Sequence, residues 1–157
     1  MVGPKYAKVD PADYKRLKRF KWFARKGTNC FYVFRDGPVK KAGRKSILYM
    51  HQEIIEVPEG MVTDHINRDG MDNRSANLRP ATHSQNLWNS RRRTGAKSSK
   101  YKGVSLKKQT RKWSARIGFE NKEIHIGYFK NEVDAARAYD EAAKKYHGEF
   151  ACLNFPE

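Results

Sequence analysis

Between Val62 and Asn86 the chain reads VTDHINRDGMDNRSANLRPATHSQN, and four of its side chains have the types and spacing of a hydrolytic centre. Asp64 and His65 are adjacent, Asn77 follows His65 by twelve residues, and Asn86 follows nine residues later. A strand starting at Met61 would end on the Asp-His pair. It would offer a carboxylate oxygen to a hard cation beside an imidazole that can take a proton from water near neutral pH. A helix over Thr82 to Arg91 would turn the amide oxygen of Asn86 back toward Asp64, leaving room on a bound cation for water and a phosphate oxygen. His83, three residues before Asn86, shares its helix face and is a second catalytic candidate. His51, after the apolar run Ile47 to Met50, opens a short helix and reads as a packing residue. Asn, Asp and Gly between Asn67 and Asn77 are also ordinary turn residues, so a purely structural Asp-His pair is the competing account.

DHIN, NLR and the terminal Asn at these spacings resemble the HNH endonuclease family, in particular its phage and intron-homing branch. The resemblance implies a ββα-metal domain, a strand-hairpin-helix unit gripping one divalent ion. Asp64 and Asn86 would be its ligands and His65 the general base. Asn77 would brace the loop and orient His65 through a backbone contact, touching neither metal nor DNA. The expected ion is magnesium, with manganese able to substitute. Many members carry two cysteine pairs for a structural zinc, but Thr82 and Gln85 stand at those positions near the helix, so no structural zinc is expected.

Charge points to the same class of partner. There are 33 Lys and Arg against 17 Asp and Glu, a net charge of +16, which favours a polyanion. From Asn73 to Phe119 there is no acidic residue and there are thirteen basic ones. Arg79 and the run Arg91, Arg92 and Arg93 are therefore expected to meet DNA phosphates, and binding should weaken with salt. Trp88, Tyr101, Val104 and Trp113 argue against a disordered basic arm, and the stretch lacks the amphipathic period of a membrane-surface helix. Cys30 and Cys152 form neither a disulfide framework nor a metal knuckle. With no leader and no apolar span, the expectation is a cytoplasmic protein of a bacterial or phage-infected cell, not secreted, with double-stranded DNA as partner and no membrane. The oligomeric state stays open, with a monomer favoured.

Three segments are expected. Residues 1–93 would form the nuclease domain, comprising a helix near Pro11 to Phe20 and strands Cys30 to Arg35 and Ser46 to Met50 (1–60), then the ββα unit (61–93). Asp36-Gly37-Pro38 reads as turn material. Residues 94–100, without a bulky apolar side chain, would be a basic linker. Residues 101–157 alternate as three strands, Tyr101 to Leu106, Lys112 to Phe119 and Glu123 to Phe129, before a helix from Glu132 to His147 capped by Asn131. Val133, Ala136, Tyr139, Ala143 and Tyr146 would face the sheet and Gly148 would end the helix. Trp113, Ala115 and Ile117 would point into that helix, with Lys112, Ser114 and Arg116 on the free face.

The residues YKGV, KWSARI, IGYF, EVDAARAYDEAA and LNF in this last part resemble the plant ethylene-response-factor (APETALA-like) DNA-binding domain over nearly all of Tyr101 to Pro156. That resemblance implies a sheet lying in the major groove. Lys102, Ser105, Lys107, Arg116 and His125 fall on contacting positions and Tyr139 on a backbone-contacting tyrosine. Ser105, His125, Arg116 and Gly118 depart from the family's residues, so its base preference does not carry over. The whole reads as an α+β chain and a site-specific homing endonuclease, giving 5′-phosphate and 3′-hydroxyl ends. The alternatives are a DNA-binding regulator with a decayed nuclease site and a nuclease without sequence preference.

Overall fold

The computed structural model describes residues 6–27, 30–39, 43–92 and 98–156 of an α+β chain. Two compact units divide it, Met1–Asn86 and Leu87–Glu157. The division lies upstream of the stretch at 94–100 expected to join the two parts, of which only 98–100 are described.

In the first unit, helix α1 (Pro11–Leu17) starts with proline, whose fixed φ and missing N–H suit a first helical turn. It ends three residues before the expected Phe20, where Trp22 Nε1 donates to the Leu17 carbonyl at 2.8 Å. Strands β1 (Phe23–Lys26), β2 (Phe31–Val39) and β3 (Lys45–Tyr49) form an antiparallel sheet in that order. β1 escaped the sequence reading, and β2 runs straight through Asp36-Gly37-Pro38 instead of turning there. A register shift between Asp36 and Val39 accommodates the proline, and Ser46 Oγ donates to the Pro38 carbonyl at 2.9 Å. Helix α2 (Met50–Ile54) follows directly, with Gln52 Oε1 accepting the Tyr49 N–H at 3.1 Å.

The strands that bear the motif are β4 (Val62–His65) and β5 (Leu78–Ala81), an antiparallel pair, after which comes helix α3 (His83–Asn89). The connection between β4 and β5 is pinned from far away in sequence. Lys8 bridges to Asp72, Asn73 N–H donates to the Lys8 carbonyl at 2.8 Å, and Ser75 N–H donates to Asp10 Oδ2 at 2.7 Å. Met71 of that connection packs against the core of Leu17, Val33 and Met50. Gly70 must be glycine, because a Cβ there would overlap the Phe31 carbonyl and the Tyr32 ring.

The second unit carries an antiparallel sheet of β6 (Val104–Lys107), β7 (Lys112–Phe119) and β8 (Lys122–Phe129), with helix α4 (Glu132–His147) against it. Alanines at 115, 135, 136 and 143 are fully buried, which is how the helix comes so close to the sheet. Acidic residues in its first turn and basic ones in its last suit the helix dipole, and Gly148 ends it at φ +53°. One expectation fails and one holds in part. Val133 is 40% exposed, and Ala135 takes its place on the buried face. Asn131 holds the N-cap position, but its amide Nδ2 donates to Asp134 at 3.0 Å instead of its oxygen accepting a backbone N–H.

Candidate active site

Register places Asp64 opposite Arg79 and His65 opposite Leu78 on the β4–β5 pair. Asp64 is 3% exposed and His65 6%. Arg79 Nε donates to Asp64 Oδ2 at 2.9 Å, so the arginine expected to meet a DNA phosphate is held instead on the neighbouring carboxylate. A half-buried guanidinium beside a buried carboxylate offsets its charge, which explains why Arg79 turns inward.

His65 is set by its neighbours. Its Nε2 lies 3.4 Å from Asn73 Oδ1, and Asn73 Nδ2 in turn points to the Gly70 carbonyl, so the amide oxygen faces the ring. An acceptor at Nε2 puts the proton there and makes Nδ1 the basic nitrogen. Burial pushes the His65 pKa below its usual value, opposed by the Asn73 contact and by Asp64, Asp69 and Asp72. The ring is accordingly neutral at physiological pH, the form that accepts a proton.

Asn77 forms the far end of the same connection, in a single 3-10 turn (Ser75–Asn77). Its Oδ1 accepts the Asn67 N–H at 3.0 Å, and its Nδ2 donates to Asn67 Oδ1 at 3.0 Å and to the Asp72 carbonyl at 2.7 Å. The Asn77 carbonyl accepts the Ile66 N–H at 2.9 Å, next in sequence to His65. Asp72 is buried, and Arg74 holds its carboxyl down at about 2.

The sequence reading missed two parts of this site. Asn73 looked like turn composition, though a fully buried asparagine must have partners. His51 read as a packing residue, yet its ring lies 5.1 Å from that of His65, nearly perpendicular, while stacking on Tyr49 at 5.4 Å. Tyr32 closes the cluster, 5.9 Å from His65 and 6.2 Å from His51. The only advance signal for His51 was its place straight after an apolar strand.

Helix α3 starts one residue later than expected because Thr82 is its cap. Thr82 Oγ1 accepts the Gln85 N–H at 3.2 Å while Gln85 Oε1 accepts the Thr82 N–H at 2.8 Å, a reciprocal capping box. His83 and Asn86 are exposed on this helix. As donors, a carboxylate and an amide oxygen fit a hard cation such as magnesium or manganese and leave most coordination positions to water and substrate. Among the described residues no group of three or more His, Cys, Asp or Glu is gathered as a metal cluster.

On the second unit several expected DNA contacts are committed elsewhere. Lys102 Nζ donates to the carbonyls of Trp88 at 2.5 Å and Ser90 at 2.7 Å, capping α3 from its C-terminal end. Tyr139 is 2% exposed, in the core beside Ile117 and Ala143. Its ring occupies the space beside Gly103, at φ +73°, so it is a packing residue and not a backbone contact. Ser114, expected on the free face, is fully buried beneath Arg116, whose Nε approaches its Oγ at 3.4 Å. Arg116 itself is paired with Glu123 at 2.5 Å. His125 is exposed as expected, and a bulge between Ala115 and Arg116 on the β7–β8 ladder brings its ring within 4.5 Å of Tyr128, a second exposed aromatic that the alternation rule had missed. Ser105 and Lys107 are half-buried on β6. Arg91, Arg92, Ser105, Arg116 and Glu123 line an open groove of about 400 Å³. Arg93 lies outside the described residues.

The HNH endonuclease family model matches residues 56–87, the segment that holds β4, β5 and most of α3. Separately, the chain is 42% identical over 72 residues to the AP2-like ethylene-responsive transcription factor TOE2 of Arabidopsis thaliana, covering 46% of this chain and 15% of that protein. It is 50% identical over 60 residues to APETALA2-like protein 2 of Oryza sativa subsp. indica, covering 37% of this chain and 14% of the relative. The chain thus spans a small fraction of the length of the curated relatives it matches.

Proposed function

We propose that this protein is a metal-dependent DNA endonuclease whose second unit selects the site, a homing-type enzyme acting on double-stranded DNA. The observation that carries the reading is the buried Asp64 and His65 pair on β4, with His65 neutral, oriented by Asn73 and backed by Arg79. In this reading β4, β5 and α3 form a ββα-metal unit in which Asp64 and Asn86 would hold one magnesium or manganese ion. Such an ion supplies charge stabilisation for the crowded phosphate and the departing 3′ oxygen. His65 takes the proton of the attacking water at Nδ1, and the Asn73 contact at Nε2 holds the ring in the tautomer that leaves Nδ1 basic. Asn77 keeps the loop closed through Asn67 and Asp72 and touches no substrate. Arg79 keeps Asp64 from standing as an uncompensated buried charge. The ends are 5′-phosphate and 3′-hydroxyl. His83, exposed on α3, is the further candidate to meet the scissile phosphate.

The sheet face and the groove lined by Arg91, Arg92 and Arg116 supply DNA affinity, supported by the +16 charge and by the transcription-factor matches. Those matches also favour the second reading, a DNA-binding regulator with a silent nuclease site. The proposed setting is the cytoplasm of a bacterial or phage-infected cell.

A cleavage assay on a randomised duplex library with and without magnesium, reading both strands, separates the two. Metal-dependent cuts at a defined site are expected, and His65→Ala should lower the rate by roughly a hundredfold to ten-thousandfold with affinity nearly intact. Binding without cleavage under any divalent metal sinks the nuclease reading. Under limiting magnesium Asn86→Asp should keep partial activity and Asn86→Ala almost none; wild-type behaviour in both would remove Asn86 from the ligand set.

A further inference from the structure

Helix α3 has seven residues, too few to persist in water on its own turn hydrogen bonds. Its capping box secures the first turn, before Asn86. The rest is held by residues far along the chain. Trp88 stacks on His147 with ring centroids 4.5 Å apart and planes 6° from parallel, and its other neighbour, Phe119, lies 5.6 Å away. His147 is buried and fixed by donating from Nε2 to the Gly118 carbonyl at 2.8 Å. The ammonium of Lys102 sits on the Trp88 and Ser90 carbonyls, where a cation both satisfies unpaired acceptors and meets the negative end of the helix dipole. Asn89 is 3% exposed.

Residues two apart on a helix project about 200° from one another. Packing Trp88 therefore fixes the opposite direction, in which Asn86 points, and Asn86 is indeed exposed. We propose that Trp88, gripped by His147, Phe119 and Lys102, is a positioning residue that sets the direction of the Asn86 side chain and so its capacity to ligate the metal. Trp88 touches neither metal nor DNA in this role. The proposal rests on the reading of Asn86 as a ligand. It reassigns Lys102 from phosphate contact to helix clasp.

The test uses the full chain and four variants: Trp88→Ala, Trp88→Phe, Lys102→Met and Asn86→Ala. Three quantities are measured for each: amide hydrogen exchange across residues 83–89 without metal, the magnesium concentration for half-maximal cleavage, and duplex affinity in chelator. Trp88→Ala is expected to speed exchange across 83–89 by about tenfold or more. It should also raise the magnesium requirement by about tenfold to a hundredfold, the usual effect of losing a group that orients a ligand. Duplex affinity should hold, Lys102→Met should show the same pattern more weakly, and Trp88→Phe should recover most of both losses. Wild-type exchange and magnesium dependence in Trp88→Ala would overturn the proposal. So would a parallel fall in duplex affinity that Trp88→Phe does not rescue, since Trp88 would then merely hold the second unit together. An unchanged magnesium requirement in Asn86→Ala would instead sink the ligand reading, and the exchange data alone would then show whether Trp88 orders α3.

Discussion

His51 and His65 share one buried cluster, and burial pushes both below the ordinary histidine range, His51 to about 4 from 6.5, with His65 adding to the effect. The unfolded chain takes up protons as pH falls below 6.5 while the folded one resists until about 4, so stability is greatest above 6.5 and is lost across that window. For His51 alone the loss is on the order of 2 kcal/mol after allowing for its partial exposure. His51→Phe keeps a ring against Tyr49 and removes the proton uptake. Denaturant unfolding between pH 7 and 4 should therefore show a shallower decline in that variant, and an equal decline would mean that His51 is not the group being charged. At Arg116 the ion pair with Glu123 leads to a different expectation. If Glu123 aims the guanidinium at a base edge, Arg116→Ala should relax preference at one or two base positions at a cost of about 1 to 3 kcal/mol. Glu123→Gln, which frees the arginine for phosphates, should raise affinity for all sequences alike. A selection experiment on both variants measures this, and unaltered preference in Arg116→Ala would rule out base reading by that residue.

At the scale of elements, Gly103 is the tightest point of the second unit. It takes φ +73°, and a Cβ there would overlap the Tyr139 ring and come within 2.7 Å of the Arg116 carbonyl. Gly103→Ala should cost more than about 2 kcal/mol of unfolding free energy, because neither strain nor overlap can relax without moving β7 or α4. Thermal melting of the purified variant checks it, and a wild-type transition would mean that the turn rearranges cheaply. The elements legible in advance were those with a sustained period. β7, β8 and α4 alternate or repeat over eight to sixteen residues and stand where the pattern placed them. Four-residue β1 and β5 carry too few side chains to show a period. β2 extends past the point the sequence suggests because Gly-Pro signals a turn locally, while the partner strand that absorbs the bulge is distant in sequence. The same limit applied to the site. Asp64, His65 and Asn77 stand out as candidates by type and spacing, but charge pairing is tertiary, and Arg79, Lys102 and Arg116 are all engaged with groups their own segments do not disclose.

For the whole molecule, net charge and distribution matter more than any one contact. With +16 and an acid-free stretch from Asn73 to Phe119, DNA binding should be strongly salt-dependent. Replacing both Arg91 and Arg92 with alanine should reduce the slope of log affinity against log salt by about 2, uniformly across sequences, as expected for two phosphate contacts. Titrations of a specific and an unrelated duplex over a salt series measure it, and an unchanged slope would assign the groove at these residues another role. Among the described residues no helix is long and apolar enough to cross a membrane. The Trp88–His147 stack also sets a clock on synthesis. The two partners are 59 positions apart, so at about 5 to 20 residues per second the ribosome needs roughly 3 to 12 s after adding Trp88 before its ring has a surface to stack on. In that interval the nascent chain already carries Asp64, His65 and Asn86 but no fastened α3. A chain that ends before His147 therefore leaves α3 with its capping box alone and its last turn without the ring that would hold it.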